Sequence, residues 1–600
     1  MAVTEGRRAR HLASGMAALA PTSARGGVVA AILVTVFSAG VVTALAPMAS
    51  AEPDSKSAET AYVVLFNKSG PDAAAERAIK QAGGRIVSVN TKIGYAYATS
   101  RNSTFRTAVA ATGAVAGAAA ERVIGRAPQI HRPASSDIER LTKETKGLKA
   151  KAGLADAPAA KQSTSAAIAP EPLANLQWDM RMIGATPTGS YPLNQGKGVR
   201  VGIIDTGIDG SHPDIARNFN KALSRNFVTD MPDIDGPCEV ASCKDPVDVD
   251  DDGHGTHVAS TIGSPINGLG IAGVAPKATL INIRAGQDSG FFFLKATLDA
   301  LTYAGDIGVD VVNMSYFTDP WLFNCLDNPA DSPAEQAEQR VIRQTTQRAL
   351  NYALHHDVLP VSALGNESTN LNNPTVDSTS PDYPPDAAKD RTIDNSCITV
   401  PTESRGVVGV TALGPSKRLA YYSNYGTEQA DVSAPGGDAY DSPDNTLNYA
   451  NIVLAAYPNA LAELNGELNP DGTPNVPYVV RDCKGAVCAY YQYLQGTSMA
   501  APHAVCVAAL VVGRLGKPDR LHAGKRLDVD RTRRALYQTS TDQPCPQPRT
   551  YHYTRIRPTG EVVESDAYCA GPPSKNGFYG RGIVNAYLAA GGSRAGGPRP

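Results

Sequence analysis

The amino-acid sequence predicts an α/β protein, a parallel sheet with helices on both faces, preceded by a small α+β unit. Apolar runs at Val199–Ile204, Leu280–Ile283, Val309–Asn313, Val358–Ala363 and Val407–Thr411 alternate with helical stretches. Buried strands separated by helices form a parallel sheet covered on both sides. Ahead of them a shorter pattern of strands and helices closes before an Ala/Lys/Ser/Pro stretch. The 600 residues are 42% hydrophobic and 19% charged, too much chain for one core. That composition excludes pervasive disorder, a collagen and a multi-span membrane protein.

Taken in order, Arg7, Arg8, Arg10 and Arg25 precede an apolar run from Val28 to Ala46, followed by Ala49-Ser50-Ala51. Residues 1–51 therefore read as an export signal with a small-x-small cleavage site. An uncleaved anchor is the rival, because the run is long enough to span a bilayer. Within 59–127, strands are expected at Ala61–Phe66, Arg85–Asn90 and Ile93–Thr99, and helices at Asp72–Ala82 and Phe105–Ala111. Ala116–Ile124 reads as a helix or strand end. That order fits a ferredoxin-like split βαβ sheet with both helices on one face. Residues 128–172 read as a linker with a fraying helix at Ile138–Lys149, open to proteolysis. The main body is 173–590, and the Gly/Arg/Pro-rich 591–600 is expected to be disordered.

Charge is unevenly distributed. Up to Glu171 there are 21 Lys+Arg against 12 Asp+Glu, leaving 35 against 46 in the rest. A basic front and an acidic body attract one another. Neither carries a dense basic stripe, so nucleic acid is not an expected partner.

Three segments of the body carry chemistry. Asp205-Thr206-Gly207 follows the buried strand Val201–Ile204 and puts an acid at its carboxyl end, where α/β folds gather their sites. Alone, the triplet equally suits a structural turn or an aspartic protease, although no second matching site exists. His254-Gly255-Thr256-His257 opens a helical pattern; a lone histidine there is usually structural, and no His-Glu-x-x-His is present for zinc. The preceding Asp248-x-Asp250-x-Asp252-Gly253 mimics half an EF-hand, but Ala259 occupies the position of the required Glu. Gly496-Thr497-Ser498-Met499-Ala500-Ala501-Pro502 begins an apolar helix, with Ser498 near its positive end. Read alone, that serine is an N-cap, and Pro502 is expected in the first turn, where no N–H is needed.

Asp, His and Ser in this chain order resemble the subtilisin-like serine proteases. Further segments extend the resemblance over about 173–590. They are Gln177-Trp178, Ser211-His212-Pro213-Asp214, Gly270–Pro276, Val312-Asn313-Met314-Ser315 and Tyr579–Asn585. Residues 59–127 resemble the family's inhibitory prodomain. The resemblance implies Asp205, His254 and Ser498 as catalytic residues, with Asn366 of Ala363-Leu364-Gly365-Asn366 as the oxyanion donor. Ser315, Tyr316 and Gly365 would border the substrate; Tyr316-Phe317 departs from the family's Leu-Gly and adds bulk beside the cleft. Residues matching Gln177, Asp214 and Asn267 hold a structural calcium in the family, although Pro265-Ile266 departs from that loop's usual residues.

The implied activity is a secreted endopeptidase made as a self-processing zymogen, acting on protein or peptide substrates without a catalytic cofactor. Its own propeptide would be its inhibitor. It would be extracellular, monomeric and free of the membrane after signal cleavage. A non-catalytic protein on the same fold and a lipase-like hydrolase are the rivals. The former normally lacks one of the four site residues, and the latter needs Gly-x-Ser-x-Gly and another chain order.

Two insertions depart from compact relatives, an acidic one at about 230–252 and a second at about 440–491, and both are expected to rim the cleft. The acidic one reads first as a solvated charge run; a pull on basic substrate residues or on calcium is the alternative. Nine cysteines in an exported chain suggest disulfides. The expected pairs are Cys238–Cys243, Cys325–Cys397, Cys483–Cys488 and Cys545–Cys569, with Cys506 a buried free thiol. Sequence alone leaves the connectivity open.

Overall fold

The computed structural model describes residues 58–124, 138–141, 168–384 and 387–594. The expected export signal, the linker apart from 138–141 and 168–172, and the tail from 595 lie outside the described residues.

The front unit runs β1 (Glu59–Phe66), α1 (Ala73–Gln81), β2 (Gly84–Asn90), β3 (Tyr95–Ser100), α2 (Phe105–Ala111) and β4 (Val115–Ile124). Asp72 caps α1 by accepting from the N–H groups of Ala74 and Ala75, as a short acidic side chain does at a helix start. The antiparallel sheet has the order β2-β3-β1-β4, the ferredoxin-like arrangement. Val64 and Phe66 of β1 meet Ile79, Phe105 and Val109 on its helix-covered face. Ala116–Ile124, ambiguous in sequence, belongs to a strand because it pairs along the whole of β1.

The body begins with α3 (Trp178–Ile183), β5 (Arg200–Ile204), β6 (Arg225–Asn226), α4 (His254–Gly263) and β7 (Thr279–Arg284). It continues through α5 (Leu294–Asp306), β8 (Val311–Met314), α6 (Pro333–His355), β9 (Leu359–Ala363), β10 (Val408–Leu413) and β11 (Val432–Pro435). The strands form one parallel sheet in the order β11-β10-β9-β8-β5-β7-β6. From β5 the chain builds outward in both directions. The carboxyl end of β5 is thus the switch point at which open α/β sheets open a crevice, and Asp205 is the next residue.

In the second insertion, β12 (Val453–Tyr457), β13 (Val479–Lys484) and β14 (Val487–Leu494) pair in the order β12-β14-β13. The chain then enters α7 (Thr497–Leu515), buried from Thr497 to Gly513. Its small side chains let it lie against β8, β9, β10 and β11. Apolar on every side, it has the length and composition of a membrane span, yet it is the central core helix. Pro502 is the sixth residue of α7 rather than part of its first turn. Its missing N–H leaves Ser498 O without the usual helical donor, and the Ser315 hydroxyl supplies one at 3.1 Å.

The open face of the front sheet lies on α5 and α6. Val63, Leu65 and Tyr95 join one apolar cluster with Leu294 and Val341. Polar contacts frame it: Glu338 accepts from Ala120 N at 2.6 Å and pairs with Arg106 at 3.0 Å. Glu121 accepts from Lys295 N in the first turn of α5 at 2.7 Å, and Lys92 pairs with Asp306.

The acidic insertion is not a solvated charge run. Asp230, Asp245, Asp250 and Asp252 are each at most 6% exposed. Met231 and Ile234 anchor the segment among Phe291, Phe293 and Tyr383, which draws the neighbouring acids inward. The second insertion backs the histidine helix: Val453 O and Gln492 O lie 3.2 and 3.1 Å from His257 Nε2. The four expected disulfides are present, and Cys506 is a buried free thiol in α7.

Candidate active site

Asp205 leaves β5 fully buried, and its Oδ1 accepts from His254 Nδ1 at 2.7 Å and from Thr206 N at 2.8 Å. His254 is the first residue of α4. Gly253 turns the chain there with φ 93°, a conformation open to glycine. Asp250 joins the two segments. Its Oδ1 takes the Thr206 hydroxyl and Gly253 N at 3.0 Å each, while its Oδ2 takes Thr256 N at 2.8 Å. Thr206 Oγ1 in turn accepts from Gly255 N at 3.0 Å. Sequence reasoning passed over Asp250 because it weighed the residue only as part of a failed EF-hand. An Asp four residues before a histidine that opens a helix was the available capping signal.

Ser498 is the second residue of α7, where backbone N–H groups have no helical partner. Its Oγ lies 3.4 Å from Ser315 O. Asn366, just beyond β9, is fixed by Thr497, whose N–H and hydroxyl both donate to Asn366 Oδ1 at 2.9 Å. The amide is thereby oriented, and its Nδ2 points into the cleft. Thr497 is a second positioning residue that the motif reading left unassigned.

The described turn of the linker, 138–141, runs through this cleft. Glu139 is 7% exposed; its Oε1 accepts from Asn366 Nδ2 at 3.2 Å and its Oε2 lies 3.5 Å from His254 Nε2. Ser498 lines the same cleft. Arg140 pairs with Asp252 at 2.8 Å, and Gln495 N donates to Glu139 O at 3.3 Å. Gly496 leaves room for the plug, since a Cβ there would meet Glu139 Cγ at 3.1 Å. Burial raises the pKa of Glu139, only partly offset by His254 and Ser498. Burial works against the charged imidazole of His254, but Asp205 and Glu139 outweigh it and push its pKa up to about 10. Burial drives His257 the other way, down to about 3, as befits a neutral structural ring.

Ser315, Tyr316 and Gly365 all line the cleft. Tyr316 stacks on Phe292 with centroids 4.1 Å apart, so the bulk expected at Tyr316-Phe317 forms an aromatic wall. None of residues 440–491 lines the cleft; the second insertion supports it from behind instead of rimming it.

Gln177, Asp214 and Asn267 are also brought together, but their oxygens face protein donors. Asp214 accepts from Asn267 Nδ2, Ile271 N and the Tyr491 hydroxyl, at 3.0, 3.1 and 3.1 Å. Lys484 places its ammonium 2.5 Å from Asn267 O. Gln177 is held by both backbone groups of Ala272. As arranged, the set does not fit a cation, because the hairpin of the second insertion supplies the hydroxyl and the ammonium. A different group, Asp230, Glu239, Asp245 and Asp288, has the mutual spacing of metal ligands.

An acid holding an imidazole, a hydroxyl at a helix start and a fixed amide donor, gathered at the switch point of a parallel sheet, form a site suited to nucleophilic acyl transfer. Residues 196–555 match the sequence model of the Subtilase family, and the chain belongs to that family. It is 27% identical over 318 residues to the thermophilic serine proteinase of Bacillus sp. (strain AK1), covering 53% of each protein. It is 28% identical over 266 residues to subtilisin DY of Bacillus licheniformis, covering 44% of this chain and 74% of that protein. The chain thus spans about half the length of the first relative.

Two solved structures share the fold. The epidermin leader peptide processing serine protease of Staphylococcus aureus superposes with a TM-score of 0.57 at 19% identity, covering 91% of this chain and 100% of that one. Fervidolysin from Fervidobacterium pennivorans gives 0.51 at 22% identity, covering 90% and 62%.

Proposed function

We propose that this chain is the zymogen of an exported serine endopeptidase that processes itself. The observation that carries the reading is the convergence of His254 and Asn366 on the Glu139 carboxylate, in the cleft that Ser498 also lines. With Glu139 withdrawn, a peptide carbonyl takes that place. Ser498 Oγ attacks the carbonyl carbon while His254 Nε2 takes the hydroxyl proton. Asp205 keeps the other proton on Nδ1 and stabilises the imidazolium without becoming protonated. The oxyanion receives hydrogen bonds from Asn366 Nδ2 and Ser498 N–H. His254 then protonates the leaving amine, and a water activated by the same nitrogen hydrolyses the acyl-enzyme.

Substrate would add as a strand along Ser315 and Gly365, where main-chain hydrogen bonds supply affinity. The front unit, 59–127, acts as the intramolecular inhibitor until a cut in the 128–172 linker. Four disulfides support an oxidising, extracellular destination. In this reading the mature enzyme is a monomer acting on proteins or peptides.

The test compares the precursor with its Ser498→Ala variant by intact mass. Loss of the front segment in the parent alone, accompanied by peptide hydrolysis, is expected. A folded parent that stays intact and inert like the variant overturns the reading.

A further inference from the structure

Pro502 leaves the nucleophile turn of α7 one helical bond short, and the Ser315 hydroxyl replaces it at Ser498 O. The next carbonyl along, Met499 O, lies 2.8 Å from Nδ1 of His503. His503 is fully buried, and its Nε2 lies 3.1 Å from Asp179 Oδ2. Asp179 belongs to α3, the short helix that follows the linker, and is fully buried as well. Its Oδ1 accepts no hydrogen bond among the described residues, and His503 is its ion-pair partner. A carbonyl and a carboxylate are both acceptors, so the ring needs a proton on each nitrogen, the second shared with Asp179. The ring is thus held at both ends, by the nucleophile turn and by α3. Trp178, the residue before Asp179, touches the same turn. It packs on Val453, Leu494 and Met499, and its Nε1 donates to Ile452 O at 3.1 Å.

We infer that Asp179 and His503 are positioning residues for Ser498, an inference that rests on the catalytic role proposed above for that serine. Neither residue lines the cleft, so both act through the backbone of the nucleophile turn. His503 fixes the peptide after Met499, as Ser315 fixes the one before it. Asp179 in turn fixes the ring. The attacking Oγ and the N–H offered to the oxyanion both belong to Ser498, so a rotation of this turn misplaces the nucleophile and one oxyanion donor together. A displacement of about 1 Å is enough to cost about 100-fold in rate. The pair also gives the segment after the linker a part in the reaction. A maturation cut that removed Trp178 and Asp179 with the propeptide would release the turn from both of its supports in α3.

The experiment measures peptide hydrolysis by the full chain, with the concentration of active sites taken from irreversible titration of Ser498. Asp179→Val and His503→Leu should each lower kcat about tenfold or more, with KM nearly unchanged. Asp179→Asn should recover most of the parent's kcat. Its amide donates to Nε2 of a neutral ring, whose Nδ1 proton still faces Met499 O. The double variant Asp179→Val with His503→Leu separates position from stability. Exchanging a buried ion pair for apolar groups of similar volume often preserves folding, so its thermal midpoint should match the parent's while its kcat stays low. An inert parent overturns the proposed function and this inference with it. With an active parent, this inference alone is overturned if the double variant recovers both midpoint and kcat. It is equally overturned if the single variants lose stability but not kcat, or if Asp179→Asn is as impaired as Asp179→Val.

Discussion

Replacing Glu139 with Gln tests whether the carboxylate in the cleft restrains the enzyme. Two unit charges at the 3.5 Å separating Glu139 Oε2 from His254 Nε2 attract by about 4–5 kcal/mol at an effective dielectric of about 20. Desolvating the carboxylate opposes this by several kcal/mol. A net restraint of about 1–2 kcal/mol follows, a factor of about 5–30. The pH dependence has a definite sign. Burial raises the pKa of Glu139, and in the occluded state His254 is pushed up to about 10. Both groups bind protons more tightly with the plug in place, so occlusion holds at low pH and is lost as pH rises toward about 10.

Self-processing of the parent should therefore accelerate with rising pH. Glu139→Gln should process about 5–30-fold faster near neutrality, with a flatter pH profile. Time courses by intact mass, with Ser498→Ala as the inert control, measure both and locate the cut. A variant that processes no faster than the parent, with the same profile, refutes the reasoning. So does a slower variant cut beside residue 139, which would make Glu139 a substrate residue.

Other outcomes follow from the same contacts. Asn366→Ala should lower kcat on a peptide substrate by about 10²–10³-fold with little change in KM, the loss known for the corresponding donor of subtilisin itself. Glu338→Ala removes the acceptor for Ala120 N and the partner of Arg106, at about 1–3 kcal/mol for a buried acceptor and its donors. Inhibition titrations with the separated front unit should show a tenfold or greater loss of affinity. Replacing Cys325 and Cys397 with Ser opens a bridge of sequence separation 72 and should lower unfolding free energy by about 2–5 kcal/mol in denaturant melts. Tyr316→Ala removes the ring stacked on Phe292 and should raise kcat/KM for peptides with bulky side chains relative to small ones.

Five strands of the parallel sheet, β5, β7, β8, β9 and β10, were legible as largely apolar runs, while β6 (Arg225–Asn226) and β11 (Val432–Pro435) are too short or too polar to read; the front unit was legible because its turns carry Gly, Asn and Asp. Asp205, His254 and Ser498 each follow a strand or open a helix, a placement that singly suits a structural residue as well; their order along the chain and the family resemblance marked them out, and Asn366 with them. What stayed hidden depends on partners distant in sequence. Asp230 and Asp245 look solvated until Arg284 and the Phe291–Tyr383 cluster enclose them. Glu139 lies in a stretch of linker composition, and its neighbours in the cleft come from residues 254, 366 and 498. Pro502 was expected one turn too early, since the compensating hydroxyl of Ser315 lies on another element.

All nine cysteines stand at position 238 or later, so no bridge ties the front sheet to the body. In the proposed zymogen the front unit is a tethered inhibitor, and before cleavage its local concentration would be fixed by the linker, independent of how much protein is present. One hydrolysed peptide bond would turn that contact into an ordinary bimolecular complex. Its survival would then depend on dilution: a concentrated enzyme would stay silent, and spreading into a larger volume would turn it on.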